Sequence, residues 1–236
     1  MSQKPNFNEN NNLLNIAHLR HCSNQLLLNG LPQHHDPYKD WDLWMLYQFL
    51  SRIKADLPNK PSIYDMGCGK KYAATKFCAH LYSENATFFA SDLLSVDFSS
   101  FQNSVNFFKG KVEESGFADA SVDVAISLSV IEHGVDLEQF AKELNRVLNK
   151  GGKFFITTDY WPEEINTKGL FPYGLNAPEM MIFSNDTIAK FIEILGFNGL
   201  CVINKNQKLN LVEDPVVYWS RMDKRYTFTH ICGFKL

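Results

Sequence analysis

Two glycines and two carboxylates carry the first hint of chemistry in this chain. Gly67 and Gly69 flank Cys68 directly after Asp65 and Met66, and Asp92 closes a later apolar run. Glycines so spaced can take positive φ and let another molecule approach the backbone. A helix beginning just beyond would aim free N–H groups and its positive dipole end at the same point. A polar or anionic, nucleotide-like ligand suits such a turn. A sharp strand-to-helix turn with no ligand is the plainer reading, and two glycines alone do not exclude it. Asp92 adds weight, because doubly wound sheets hold ribose hydroxyls on a carboxylate at the C-terminal edge of the next strand. Asp65 is a second carboxylate on that edge.

A second group lies further on. Ser127, Leu128 and Ser129 end the apolar run 122–128, and Glu132 and His133 follow. His133 can act as a general base, since imidazole titrates near neutrality. Equally, the Glu132-His133 pair can do no more than cap or orient the segment after it. The stretch 159–183 then breaks the rhythm of the chain with Tyr160, Trp161, Phe171, Tyr173, Pro162, Pro172 and Pro178. Connections in compact domains usually run to roughly 4–6 residues, and long ones at the C-terminal edge of a sheet are where specificity is kept. This loop is expected to form much of a substrate pocket, with Asp159, Tyr160 and Trp161 nearest the chemistry. A loop packing on itself would use the same aromatics.

These residues need elements to hold them. Strands are expected at 62–66, 86–90, 105–109, 122–128 and 154–158. Helices are expected at 40–57, from Leu43, Leu46, Leu50, Ile53 and Leu57, and at 72–81, from Ala74, Phe77, Cys78 and Leu81. Asp136 with Gln139 starts a further helix to Leu148, and Ser184 caps one to Leu195. A weaker helical pattern runs from Leu13 to Leu31. Strands alternating with helices give an α/β, doubly wound, mostly parallel sheet with right-handed crossovers. The stretch 93–103 is short and polar for a crossover helix.

In order and spacing, Asp65-Met-Gly-Cys-Gly69, Asp92, Phe117-Ala-Asp-Ala-Ser-Val-Asp123, Ser129-Val-Ile-Glu-His133 and Arg146-Val-Leu-Asn-Lys-Gly-Gly152 resemble class I S-adenosylmethionine-dependent methyltransferases of the type 11 group. The resemblance covers about residues 63–158. It implies a Rossmann-like fold of seven strands whose last two, 199–204 and 226–236, form an antiparallel hairpin at one edge. It also implies S-adenosyl-L-methionine as cofactor. Asp92 would hold the ribose, Asp65 and the Gly67, Cys68, Gly69 turn the amino-acid end, and Leu93, Val112, Glu113, Ser127, Leu128 and Ser129 the rest of the cofactor. His133, Asp159 and Tyr160 are the catalytic candidates. Two departures stand out: Lys71 replaces a small residue after the turn, and Lys111 stands where an acidic residue meets the adenine amine. In quinone-precursor methyltransferases a similar Glu-His pair holds a metal with a glutamate three residues earlier. Ser129 at that position argues against a metal here, and His18, His21 and Cys22 lack paired zinc-ligand spacing.

The implied reaction is methyl transfer by in-line displacement to a small-molecule or sugar-type acceptor. The rivals are a nicotinamide dehydrogenase, disfavoured by Lys71-Tyr72 in the turn, an aminopropyltransferase without its acidic acceptor motif, and a catalytically silent methyltransferase fold serving as a binding partner. The 236 residues, 45% hydrophobic, suffice for one large core. A net charge of −3 gives no basic footprint for a nucleic acid. Five scattered cysteines fit a reducing cytoplasm, and no apolar run approaches the roughly 18–20 residues that span a bilayer. The expected organisation is a polar, disordered tail (1–12), a helical N-terminal cap (13–61) and the cofactor-binding domain (62–236) with its acceptor loop (159–183).

Overall fold

The computed structural model describes residues 11–172, 178–205, 212, 214–220 and 223–236. Apolar runs rich in β-branched and aromatic residues form β1 (Ser62–Met66), β2 (Thr87–Asp92), β3 (Val105–Lys109), β4 (Val122–Leu128) and β5 (Leu148–Tyr160). These pair in parallel in the order β3-β2-β1-β4-β5. Then come β6 (Leu200–Val202), β7 (Val217–Trp219) and β8 (Lys224–Lys235). β8 lies between β5 and β6 and is antiparallel to both, so the expected C-terminal pair is present with its long strand inside the sheet. β7 adds a pairing beyond the seven expected strands, which makes eight among the described residues.

The helices are α1 (Ile16–Leu28), α2 (Asp40–Ile53), α3 (Ala73–Tyr82), α4 (Leu137–Val147) and α5 (Asn185–Phe197). Side chains alternate across each strand, so the sheet has two apolar faces. On one face Leu19, Leu46 and Phe77 from α1, α2 and α3 share a core with Ile63, Val124 and Phe155. On the other, Phe140, Leu144, Phe191 and Leu195 from α4 and α5 pack on Tyr64, Ala125 and Ile156. Asp136 caps α4 by accepting from the N–H groups of Glu138 and Gln139, at 3.0 and 3.1 Å, and Ser184 caps α5 through Thr187 N–H at 3.2 Å.

The short polar stretch before β3 stays free of helix, and one expectation changes. Residues 93–103 contain no helix: Asp97 draws the Ser99 N–H at 2.8 Å, as short polar side chains do when they compete with helical bonding, and Phe98 and Phe101 fold back onto Tyr72. The polar tail was expected to run through Asn12, and residues 1–10 lie outside the described residues. Asn11 and Asn12, however, are buried on β8. Asn11 O accepts from His230 N–H at 3.0 Å and from the Thr229 hydroxyl at 2.9 Å, while Asn12 bridges Thr229. Backbone pairing outweighs their lack of apolar side chain.

Candidate active site

The C-terminal edges of β1 and β2 meet as the sequence implies. Gly67, at φ +79°, and Gly69, at φ +64°, both need the left-handed region. A Cβ on Gly67 would stand 2.6 Å from a Val130 methyl, whereas a Cβ on Gly69 would meet nothing within 4 Å. The first glycine is thus required by packing, and the second borders open space. Ser91 O accepts from the N–H groups of Gly67 and Cys68 at 3.0 and 2.9 Å, stitching the turn to β2. Asp92 Oδ2 accepts from Gly69 N–H and Oδ1 from Leu94 N–H, each at 2.9 Å. That fixes the carboxylate and leaves each oxygen one acceptor site for a ligand hydroxyl.

Asp65 does something other than face a ligand. Its Oδ2 accepts from both the N–H and the hydroxyl of Thr75, at 3.0 and 2.7 Å, so it closes the first turn of α3. Burial raises its pKa to about 6 against those stabilising bonds. A carboxylate already occupies the helix end where a nucleotide pyrophosphate would sit. The turn therefore suits a ligand without phosphates better than a dinucleotide. Leu93 and Leu94 beside Asp92 are exposed apolar side chains that a flat ring could cover. Val112 is buried toward the α4 side of the sheet, and Glu113 Oε1 accepts from Asp136 N–H at 3.1 Å, which commits that oxygen to the start of α4.

The edges of β4 and β5 carry a buried ionic cluster. Ser129 sits at φ +53°, a strained backbone for a non-glycine residue, with its N–H on Thr157 O and Oγ1, both at 3.1 Å. Lys39 arrives from a 3-10 turn (Pro37–Lys39) and donates to Ser129 Oγ at 2.6 Å. The hydroxyl of Ser129 donates onward to Asp42 Oδ2 at 3.3 Å, which also receives the Thr157 hydroxyl at 3.2 Å. The Lys39 ammonium lies 3.4 Å from Asp159 Oδ1, 3.9 Å from Asp42 Oδ2 and 3.5 Å from the centre of the Phe228 ring. Glu132 is fully buried and accepts from the Thr158 hydroxyl at 3.3 Å, and Tyr226 hydrogen-bonds Asp159.

One lysine thus faces three buried carboxylates. Desolvation raises Asp42 to about 6 and Glu132 to about 8, Asp159 adding to the latter, and it raises Asp159 against the pull of Lys39. Lys39 is itself held above its usual value, because Asp159, Asp42 and Glu132 outweigh its desolvation. Burial lowers His133 to about 4, with Lys39 contributing, so the imidazole is neutral and weakly basic at pH 7. Burial is also why the Cys68 thiol rises far above its ordinary value.

The sequence-derived candidates therefore divide. Asp92, Gly69 and Leu93 surround one place, and Ser129 and Asp159 a second. Ser127 is buried in β4, and Leu128 is half-buried toward α2. Tyr160 points to the opposite face from Asp159: it is buried in the α4 and α5 core, and its hydroxyl donates to Asn185 Oδ1 at 2.7 Å. As a catalytic candidate it is displaced by strand alternation. Lys39, Asp42, Tyr226 and Phe228 escaped the sequence reading. Asp42 had a signal, since it stands on the Leu46, Phe49, Ile53 stripe of α2, a carboxylate in an apolar row. The long loop folds back over this end: Phe183 N–H bonds Asp159 O at 3.0 Å and Met181 N–H bonds Glu132 O at 2.7 Å. Tyr173 of that loop lies outside the described residues. Among the described residues, no group of three His, Cys, Asp or Glu is placed to hold a metal ion.

Comparison with known proteins adds the family. Residues 64–156 match the family model described as "Methyltransferase domain". A 49-residue stretch, 21% of this chain, is 47% identical to a Mycolicibacterium smegmatis protein called "Probable S-adenosylmethionine-dependent methyltransferase"; the match covers 19% of that protein, about a fifth of its length. The YcgJ protein of Bacillus subtilis shares the fold at TM-score 0.56 and 18% identity, over 79% of this chain and 97% of that one. The 1,6-didemethyltoxoflavin-N1-methyltransferase of Burkholderia thailandensis, solved with S-adenosylhomocysteine, superposes at TM-score 0.52 and 13% identity over 94% and 91%. The [4+2]-cyclase SpnF does so at 0.55 and 13% over 80% of each chain. The β1-to-β5 core thus carries the match to a methyltransferase domain, and the solved S-adenosylmethionine-dependent methyltransferases share its fold.

Proposed function

We propose that this protein binds S-adenosyl-L-methionine at the β1–β2 edge and transfers its methyl group to a small-molecule acceptor held at the β4–β5 edge. The observation that carries this reading is the Asp92 carboxylate, locked by Gly69 and Leu94 N–H groups beside the open face of Gly69. Asp92 would take the ribose hydroxyls, Leu93 the adenine face, and the Gly67, Cys68, Gly69 backbone the amino-acid end. A phosphate-free, positively charged ligand fits an edge where Asp65 already fills the helix terminus. The cofactor supplies an electrophilic methyl group on a sulfonium. The chain's own part is to align the acceptor, exclude water and take up a proton where the nucleophile carries one. The S-adenosylhomocysteine complex of the toxoflavin-type relative supports the cofactor assignment.

The 13–61 segment serves as a cap, because it delivers Lys39 and Asp42 to the acceptor end. Of the departures from the family pattern, Lys71 is exposed, and so is Lys111, so neither blocks the turn. The five free cysteines suit a cytoplasmic location, and no described helix is long and apolar enough to cross a membrane. A sugar-type hydroxyl is one form the acceptor could take.

Calorimetric titration with S-adenosylmethionine and S-adenosylhomocysteine tests the reading. Micromolar binding, near −8 kcal/mol, is expected. Asp92→Ala should weaken it at least tenfold with the fold intact. Absence of binding at millimolar ligand would overturn the enzyme assignment in favour of a silent methyltransferase fold.

A further inference from the structure

The acceptor end holds more carboxyl groups than the described residues balance with cations. Asp42, Glu132 and Asp159 are each at least 96% buried and, among the described residues, share one cation, Lys39. Two of their oxygens, Asp42 Oδ1 and Glu132 Oε1, are buried with no hydrogen-bond partner among the described residues. Burying a carboxylate oxygen without a donor is costly, so this arrangement is complete only when something brings N–H donors and positive charge. The site already shows what it accommodates. The Lys39 ammonium rests on the Phe228 ring, against Ser129 Oγ and two carboxylates, in a geometry that suits an alkylammonium group. The Lys39 side chain is 17% exposed, so the cluster reaches the surface at that point.

We propose that the acceptor is a primary or secondary amine, and that Asp42, Glu132 and Asp159 form the site for its ammonium group beside Lys39. This rests on the methyltransferase reading above and names the substrate class of the same site. Asp42 Oδ1 and Glu132 Oε1 receive the two N–H donors that the chain does not supply. Before the nitrogen can act as a nucleophile it must lose a proton. One N–H bond breaks, its electron pair stays on nitrogen, and the proton forms an O–H bond on the Glu132 carboxylate. Glu132 suits that exchange because Asp159 and Asp42 oppose its ionisation while Lys39 favours it. The other titratable groups on this side among the described residues include Tyr226 from β8, held protonated by burial and Asp159, His133 on the same turn and His34 before α2, both neutral through burial, and Asp36, which adds to the field on Tyr226. Glu132, missed as a candidate in its own right, is on this account the residue that contacts the reacting atom.

The test uses the full chain saturated with S-adenosylhomocysteine and follows thermal unfolding with n-butylammonium, 1-butanol or butyrate between about pH 6.5 and 8, each read as a shift from the same chain without the additive at the same pH, so that histidine titration cancels. The expected result is a rise in Tm with n-butylammonium alone, growing at least threefold toward pH 8 as Glu132 gives up its proton. Glu132→Gln and Asp42→Asn should each cut the apparent affinity at least tenfold, and Glu132→Gln should flatten the pH dependence. If Glu132→Gln does not fold, Thr158→Val removes the hydroxyl on Glu132 Oε2 and should shift the pH dependence in its place. Equal stabilisation by 1-butanol, or an ammonium effect unchanged in these variants, would overturn the proposal. Calorimetric S-adenosylhomocysteine binding on the same samples separates the two readings: its loss in the parent chain sinks the methyltransferase assignment, whereas intact binding without an ammonium effect sinks only the amine assignment.

Discussion

The two ends of the site, side by side on one sheet edge, are built from different materials. The proposed cofactor end is backbone: two glycines at positive φ, a turn stitched to Ser91, and a carboxylate locked by N–H groups. The proposed acceptor end is side chain: a lysine and three carboxylates from the N-terminal segment, the β4 turn and β5, with an aromatic ring from β8. Backbone geometry tolerates almost no substitution, whereas a side-chain cluster can be re-specified one residue at a time. The contrast explains how one scaffold can keep a cofactor while its acceptor changes. The [4+2]-cyclase that shares this fold shows how far the chemistry named for the scaffold can vary.

The largest effect expected is at Gly67. Alanine there combines left-handed strain with a clash against Val130, and should destabilise by about 2–4 kcal/mol and abolish cofactor binding. Gly69→Ala sharpens the point. It carries the strain but no clash, so it should lose about 1 kcal/mol of stability and yet still weaken cofactor binding at least tenfold. Urea unfolding and calorimetry on the two variants read both quantities. Equal stability losses would break the distinction between a packing glycine and a ligand-facing one.

Next in size is Lys39→Met, which strands the carboxylates of the acceptor end. The expected loss is about 2–3 kcal/mol at pH 7, below the full value for a broken buried pair because Asp42 and Glu132 can take up protons instead. That compensation has a direction. Groups whose folded-state pKa is raised favour the folded state at low pH and withdraw that support as pH rises. The Lys39→Met deficit should therefore shrink at pH 6 and grow at pH 8. Cofactor affinity should change little, since the described contacts of Lys39 lie with Ser129, Asp42, Asp159 and Phe228, away from the β1–β2 turn.

The parent chain carries the same signature more weakly. Glu132, raised to about 8, contributes stability that is present below its unfolded value and lost as pH climbs. Between about pH 6.5 and 8 the loss should be roughly 1–2 kcal/mol relative to Glu132→Gln, which removes it. The buried histidines His18, His34, His133 and His230, lowered to about 4, act the other way up to about pH 7.5. They act alike in both chains, so the difference between the parent and Glu132→Gln across this window isolates the acid cluster. A flat difference would mean that its carboxylates are solvated, and that the two ends differ less than the geometry says.

The same division governs what the sequence reveals. Gly67, Gly69 and Asp92 sit within one strand–turn–helix–strand unit, and positive φ fixes the type of the two glycines, so spacing singles them out and the family resemblance supplies their expected roles. The alternation of strands and helices that makes a mostly parallel sheet is legible for a like reason, since apolar runs and caps such as Asp136 and Ser184 are local, whereas the order β3-β2-β1-β4-β5 is not. Asp159 and the Glu132-His133 pair stand out in the sequence, but Lys39, Asp42 and Phe228 acquire meaning only when the N-terminal segment, β4, β5 and β8 converge. Lysine and aspartate near a helix start read as a solvated face. The short pairing of β7 and the seating of Asn11 and Asn12 on β8 depend equally on tertiary contacts that no local pattern encodes.

The smallest effect expected decides between neighbours on one strand. Tyr160 follows Asp159 and reads from sequence as part of the chemistry, but alternation along β5 turns it into the opposite core, bonded to Asn185. Tyr160→Phe should cost about 1 kcal/mol, the worth of that hydrogen bond, and leave methyl-transfer kinetics unchanged. Tyr226→Phe is also a lost hydroxyl, but it removes the partner of Asp159 within the cluster. It should therefore shift the pH profile of turnover by freeing Asp159 to hold a proton to higher pH. If Tyr160→Phe lowers kcat and Tyr226→Phe does not, the acceptor lies on the α5 side of the sheet, and the cluster around Lys39 is an anchor for the N-terminal segment.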